Sequence, residues 1–201
     1  MTEFTIYKNE YLNQNVTGYF HTYYTGYGNP NNPNYLNTLK NTFNNTHKEI
    51  LRRAACNVVN ILINDIPQVI QCQNMNAPVC VCVPRSRANM AESQMHFQIS
   101  VSVACDYLNS IENGTSTIVR KIDTATTHLA RSSARNNGPM PYPGITNATC
   151  YIDKSKIYGR EVLLIDDIYT RYCNIDEDCI QALLSYGAKR VVFYSVAYTK
   201  I

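Results

Sequence analysis

Apolar and polar positions divide the chain into a helical stretch and a later alternation of strands and helices. From Tyr35 onward, Leu36, Leu39, Phe43, Ile50, Leu51, Ala54, Val58, Ile61 and Leu62 recur at steps of mostly three and four. That spacing predicts one apolar helix face. Asn34 can cap its start, Pro67 is expected to end it, and Asn44-Asn45-Thr46 predicts a break. Pro78 to Val83 reads as a buried strand. The turn Pro84-Arg85-Ser86-Arg87 then leads into a helix expected from about Asn89 to Asn109. Met95, Ile99, Val103 and Tyr107 form its apolar ladder, extended by Ala104 and Leu108. Thr115 to Val119 is expected to be the next strand, and Ala148 to Ile152 an edge or hairpin strand. Between them, Lys121 to Asn147 carries little apolar periodicity and three prolines. A connection of that length is functional or disordered.

The most informative stretch begins at Glu161. Val162 to Ile165 fits a strand buried on both faces, and Asp166 and Asp167 follow where that strand is expected to end. After a short polar turn, Ile175, Cys179, Ile180, Leu183 and Leu184 fall on one helical face, and Gly187 is a C′ stop. Lys189 to Ala197 reads as another strand. A helix followed by β-α-β-loop-β-β-α-β predicts an α/β, three-layer fold with a mainly parallel sheet. Ligands of such open sheets bind at the carboxyl ends of the strands. A turn leading into a helix also offers free N–H groups to an anion.

The first 35 residues have a different texture. Tyrosines stand at 7, 11, 19, 23, 24, 27 and 35 among Asn, Gly and Thr, and Phe4, Ile6 and Tyr11 are candidates for a hairpin strand. These rings either pack a capping lobe onto the core or offer a surface that stacks on a base. Packing is the expectation for most of them. The length of 201 residues predicts one domain, read as an N-terminal segment (1–75) and a core (76–201).

Charge and cysteine usage narrow the classes. A formal charge of +3 without a long basic run gives little support to a polyanion partner. Eight cysteines, at 56, 72, 80, 82, 105, 150, 173 and 179, include no CxxC pair, which argues against a zinc ribbon. Most lie in apolar runs, where a thiol acts as a small hydrophobe. The N-terminus lacks a basic-then-apolar signal and no run approaches a membrane span, so a reduced, cytoplasmic protein is expected. His47 and His128 are isolated and expected to be structural or incidental.

Val162-Leu-Leu-Ile-Asp-Asp-Ile-Tyr-Thr170 resembles the ribose-phosphate signature of type I phosphoribosyltransferases, in particular the ComF-like and amidophosphoribosyltransferase-like branches. The resemblance implies a mainly parallel three-layer sheet carrying an N-terminal helical, tyrosine-rich appendage, a hood that recognises the acceptor. It implies that Asp166 and Asp167 are the catalytic acids, facing the ribose hydroxyls of phosphoribosyl pyrophosphate (PRPP). Thr170, Arg171, Tyr172, Cys173 and Asn174 would then wrap the 5′-phosphate. Arg85, Ser86 and Arg87 match the pyrophosphate loop. Leu129, Arg131, Arg135 and Asn137 match a flexible loop that closes over PRPP. Mg²⁺ would bridge pyrophosphate and ribose hydroxyls, with no direct protein ligand assigned. The partner would be a small phosphorylated ligand, with a homodimer possible, nucleic acid weakly supported and no membrane.

The chain departs from the family where Thr-Thr-Gly-Ala-Thr is usual. Tyr172 replaces the glycine that lets backbone approach the phosphate, Asn174 replaces the last Thr, and Asp176-Glu177-Asp178 opposes a nearby phosphate. The ComF-type Gln near His128 is absent. Three functions stay open: a PRPP-dependent transferase acting on a nitrogenous acceptor, a non-catalytic sensor of PRPP or a nucleotide, and a single-strand nucleic-acid accessory. No Ser-His-Asp, zinc-hydrolase or Walker signature competes for these residues.

Overall fold

The computed structural model describes residues 1–125 and 142–200. Six strands form the main sheet: β1 (Thr2–Ile6), β2 (Val16–Tyr24), β3 (Val79–Cys82), β4 (Glu112–Asn113), β7 (Glu161–Tyr169) and β8 (Arg190–Thr199). Their order is β1-β2-β8-β7-β3-β4. All neighbours pair parallel except the β1–β2 hairpin. A separate two-stranded antiparallel sheet joins β5 (Ile118–Arg120) to β6 (Cys150–Ile152). The helices are α1 (Asn34–Lys40), α2 (Lys48–Cys72), α3 (His96–Tyr107), α4 (Lys154–Ile157) and α5 (Ile175–Ser185).

Strand alternation sorts the apolar side chains onto two faces. Cys80, Cys82, Leu163, Ile165, Val192 and Tyr194 meet Leu39, Val58, Leu62, Ile66, Val101 and Ala104 of α1, α2 and α3. On the other face Val79, Val81, Val162, Leu164, Val191 and Phe193 pack with Ile157, Cys179, Ile180 and Leu183 of α4 and α5, and with Ile118 and Cys150 of the small sheet. The architecture is α/β with a mostly parallel sheet covered on both sides.

Several expectations need correction. The N-terminal segment is no appendage: β2 lies beside β8 inside the main sheet, with Gly18 opposite Phe193 and Tyr23 opposite Tyr198. Pro67 does not end its helix; α2 runs through it to Cys72, because Ile66 and Val69 on either side are both fully buried. The break before α2 is real, and His47 caps the new helix by accepting from Glu49 N–H. α3 begins at His96 rather than near Asn89, after a short 3-10 turn, Glu92–Gln94. Its expected apolar ladder is turned outward. Ile99, Val103 and Tyr107 are exposed, while Ser100, Val101, Ala104 and Cys105 are buried. Thr115 to Val119 is not the next strand of the main sheet; Glu112–Asn113 takes that place against β3.

Two polar devices hold the layers. Asp65 of α2 accepts from Tyr194 Oη at 2.8 Å and lies 2.9 Å from His21 Nδ1, so one buried carboxylate ties α2 to β2 and β8. Burial pushes the Asp65 carboxyl up, but the bonds from His21 and Tyr194 bring it below the ordinary value. After α5, Ala188 N–H donates to Leu183 C=O and Gly187 N–H to Leu184 C=O, a Schellman stop that needs the positive φ of Gly187.

Candidate functional site

Chain connections leave β3 toward β4 and leave β7 toward β8, so the sheet has a switch point between β3 and β7. Pairing of these two strands ends at Cys82 opposite Ile165, with one further bond from Val83 N–H to Ile165 C=O. β7 continues alone against β8, with Asp166 opposite Ser195 and Tyr169 opposite Tyr198. The acid pair therefore lies inside a strand and not after its end. A parallel sheet opens a crevice at such a point, on the carboxyl side of its strands. Here it is a cleft of about 1090 Å³.

The cleft gathers part of the expected site. Arg85, Ser86, Arg87, Asp166, Asp167 and Thr170 all line it. Because successive strand residues point to opposite faces, the two acids diverge. Asp167 turns toward α1, its Oδ2 3.8 Å from Lys40 Nζ. Asp166 turns toward the start of α5, where Asp176 sits fully buried with no nitrogen or hydroxyl donor on either carboxyl oxygen. Burial and then the Asp167 charge push the Asp166 carboxyl up to about 7. Burial and Asp166 push Asp176 well above the carboxylate range. Burial and the neighbouring acids thus favour the protonated form of Asp176.

The basic turn is held as much as it is offered. Arg85 Nη1 donates to the carbonyls of Lys40 (3.0 Å) and Gln94 (2.8 Å), so its guanidinium clamps α1 to the turn before α3. Arg87 is exposed and pairs with Asp123 at 2.7 Å; Asp123 also accepts from Ala88 N–H. Arg120 was not legible as a site residue. It is 6 % exposed, donates from Nε to Arg85 C=O and from Nη1 to Gly144 C=O, and lines the cleft with Nη2 unpartnered. Lys40, Arg120 and Asp176 share no local motif with the acid pair; only the fold brings them together.

The expected phosphate turn divides. Thr170 faces the cleft and bonds Thr199 through their hydroxyls at 2.7 Å. Arg171, Tyr172 and Asn174 instead line a second hollow on the other face. Cys173 is half-buried between them, its N–H on Thr170 C=O. Tyr172 is 74 % exposed, so its ring does not fill a phosphate cradle in the cleft. Asn174 Oδ1 accepts from Asn9 Nδ2 at 3.0 Å, so this side chain is engaged by the N-terminal segment. Two acids of α5 are engaged by the protein's own donors. Glu177 Oε1 accepts from Tyr169 Oη at 2.8 Å, and Asp178 Oδ2 accepts from Gly144 and Ile145 N–H. Burial raises the carboxyls of Glu177 and Asp178 too.

Arg131 and Arg135, with Leu129 and Asn137, lie outside the described residues. Among the described residues no group of three or more His, Cys, Asp or Glu side chains is placed to hold a metal ion. No described helix is long and apolar enough to cross a membrane. Neither a family model nor a curated protein matches the chain, and the functional reading of the cleft rests on its own residues.

Proposed function

We propose that the protein is a PRPP-dependent phosphoribosyltransferase acting on a nitrogenous acceptor. The observation that supports this most is the meeting of Asp166 and Asp167 with the Arg85–Arg87 turn in one cleft at the sheet's switch point. Ribose hydroxyls would donate to the two carboxylates from between α1 and α5. Asp166 already accepts Asp167 N–H at 2.8 Å, which orients its carboxyl before any ligand arrives. Lys40, Arg87 and the free Nη2 of Arg120 supply positive charge for the phosphates. As pyrophosphate leaves C1 with the bonding electrons, the ribose gains oxocarbenium character, and carboxylate charge beside it lowers that barrier. The acceptor nitrogen forms the new C1–N bond, and the chain need supply no nucleophile.

The residues fit Mg²⁺ held mainly by the ligand's own oxygens and water, since two divergent carboxylates cannot cage it. Bound there, Mg²⁺ would neutralise the departing pyrophosphate. The alternative is a PRPP or nucleotide sensor without transfer. One observation favours it: Arg171, Tyr172 and Asn174 are turned out of the cleft, leaving Thr170 alone of the expected phosphate turn. Calorimetry with PRPP and Mg²⁺, followed by a pyrophosphate-release screen over amines and bases, separates the two. Binding with release supports transfer, and binding without release supports the sensor. No binding by wild type sinks both.

A further inference from the structure

On the side of the Thr170–Asn174 turn away from the acid pair lies a hollow of about 450 Å³. That is the size range of small-molecule pockets. Its back wall is aromatic: Phe4 stands 5.0 Å from both Tyr169 and Tyr198, ring centre to ring centre. Two further rings line it while facing water, Tyr7 at 63 % and Tyr172 at 74 % exposure. Lys8 and Arg171 add two cations, with the Arg171 guanidinium 6.0 Å from the Tyr172 ring. Glu177 is at the floor, 2 % exposed; its Oε1 is taken by Tyr169 and its Oε2 has no partner.

This combination points to a ligand. An unpartnered buried carboxyl oxygen is costly unless something completes it. Exposed rings held on a strand end and a turn offer faces for stacking, and neighbouring cations suit an anionic group on the same molecule. Burial raises the Glu177 carboxyl, and the bond from Tyr169 opposes that rise. We infer that this hollow binds a nucleoside monophosphate, its base stacked on Tyr172 or Tyr7, its amino edge toward Glu177 and its phosphate between Lys8 and Arg171. The site is separate from the PRPP cleft and does not rest on that assignment.

Titration calorimetry with AMP, CMP, GMP and UMP up to millimolar concentration tests this, with ribose 5-phosphate and adenosine as half-ligands. At least one monophosphate binds, and both half-ligands bind at least tenfold more weakly. Tyr172→Ala, a change at an exposed side chain, weakens binding about tenfold, as loss of one stacked base should. Arg171→Ala weakens the monophosphate but not adenosine, and Asp167→Asn leaves the Tyr172-dependent binding unchanged. The inference is overturned if no monophosphate binds. It is also overturned if Asp167→Asn abolishes binding while Tyr172→Ala leaves it intact, which puts the nucleotide in the main cleft. A single-stranded oligonucleotide that binds more tightly than every monophosphate, with the same Tyr172 dependence, replaces the free nucleotide with a strand.

Discussion

Burial, which removes water, and then the like charge of Asp167 push the Asp166 carboxyl up to about 7 in the folded chain. Asp167 N–H, Asp176 and Lys40 oppose the rise, Arg85 faces the pair, and the buried thiols of Cys82 and Cys179 close the surroundings. The ordinary value of an unfolded Asp is about 3.9. Between these two values the folded chain holds a proton that the unfolded chain has lost. Stability therefore falls as pH rises from about 4 to about 7, by at most about 4 kcal/mol from this group. Thermal melts from pH 4.5 to 8 should show that decline. Asp176→Asn keeps a donor to Asp166 but removes one buried acid, and it should flatten the slope. An unchanged slope in the variant would refute a raised Asp176 carboxyl.

The two arginines of the basic turn differ in a way composition does not reveal. Arg85 satisfies two carbonyls from separate elements, and Arg85→Ala should cost roughly 1–3 kcal/mol. Arg87 makes one exposed ion pair, so Arg87→Ala should cost about 0–1 kcal/mol and act on anion affinity instead. Urea denaturation of the two variants gives the comparison; equal losses would contradict the clamp.

At the scale of elements, Gly187 is the most constrained joint. Its φ of +92° is one that L side chains rarely adopt, and a Cβ there would lie 2.6 Å from the Tyr158 ring. Gly187→Ala should lose about 2 kcal/mol or more, read as a lower urea midpoint with unchanged slope. That stop was legible, as were β3, β8 and α5, because each is specified by neighbours in sequence. What was illegible depended on distant partners. The polar half of β7, Asp166 to Tyr169, is a strand because β8 pairs with it. The outward turn of Ile99 and Val103 follows from which side of α3 meets α2 and the sheet, which periodicity alone does not decide. Within the candidate site, the acid pair was legible as a short motif after the apolar run of β7, and the basic turn as one after β3. Arg120 and Lys40 carry no such signature, and Asn174 is engaged by Asn9, a partner far away in the sequence.

For the whole molecule, the decisive pairing is β2 with β8. Tyrosine-rich Val16–Tyr24 read as part of a capping lobe because its partner strand lies at the far end of the sequence. Removing residues 1–24 should strip β8 of one neighbour and expose its unpaired N–H and C=O groups, a template for another chain. Light scattering should show association of the truncated protein at concentrations where the intact chain stays dispersed.

The same pairing bears on how the chain reaches its native state. β8 acquires β7 through a short local unit, β7-α5-β8, whereas β2 must be found across almost the full contour of the polypeptide. Closing so long a loop is the slower event. During refolding there is consequently an interval in which β8 is formed on one side and open on the other. Recovery of native protein after dilution from denaturant should therefore decline as chain concentration rises, while the unfolding rate stays independent of it. A peptide spanning β1 and β2, added in excess at the start of refolding, should compete for that open side.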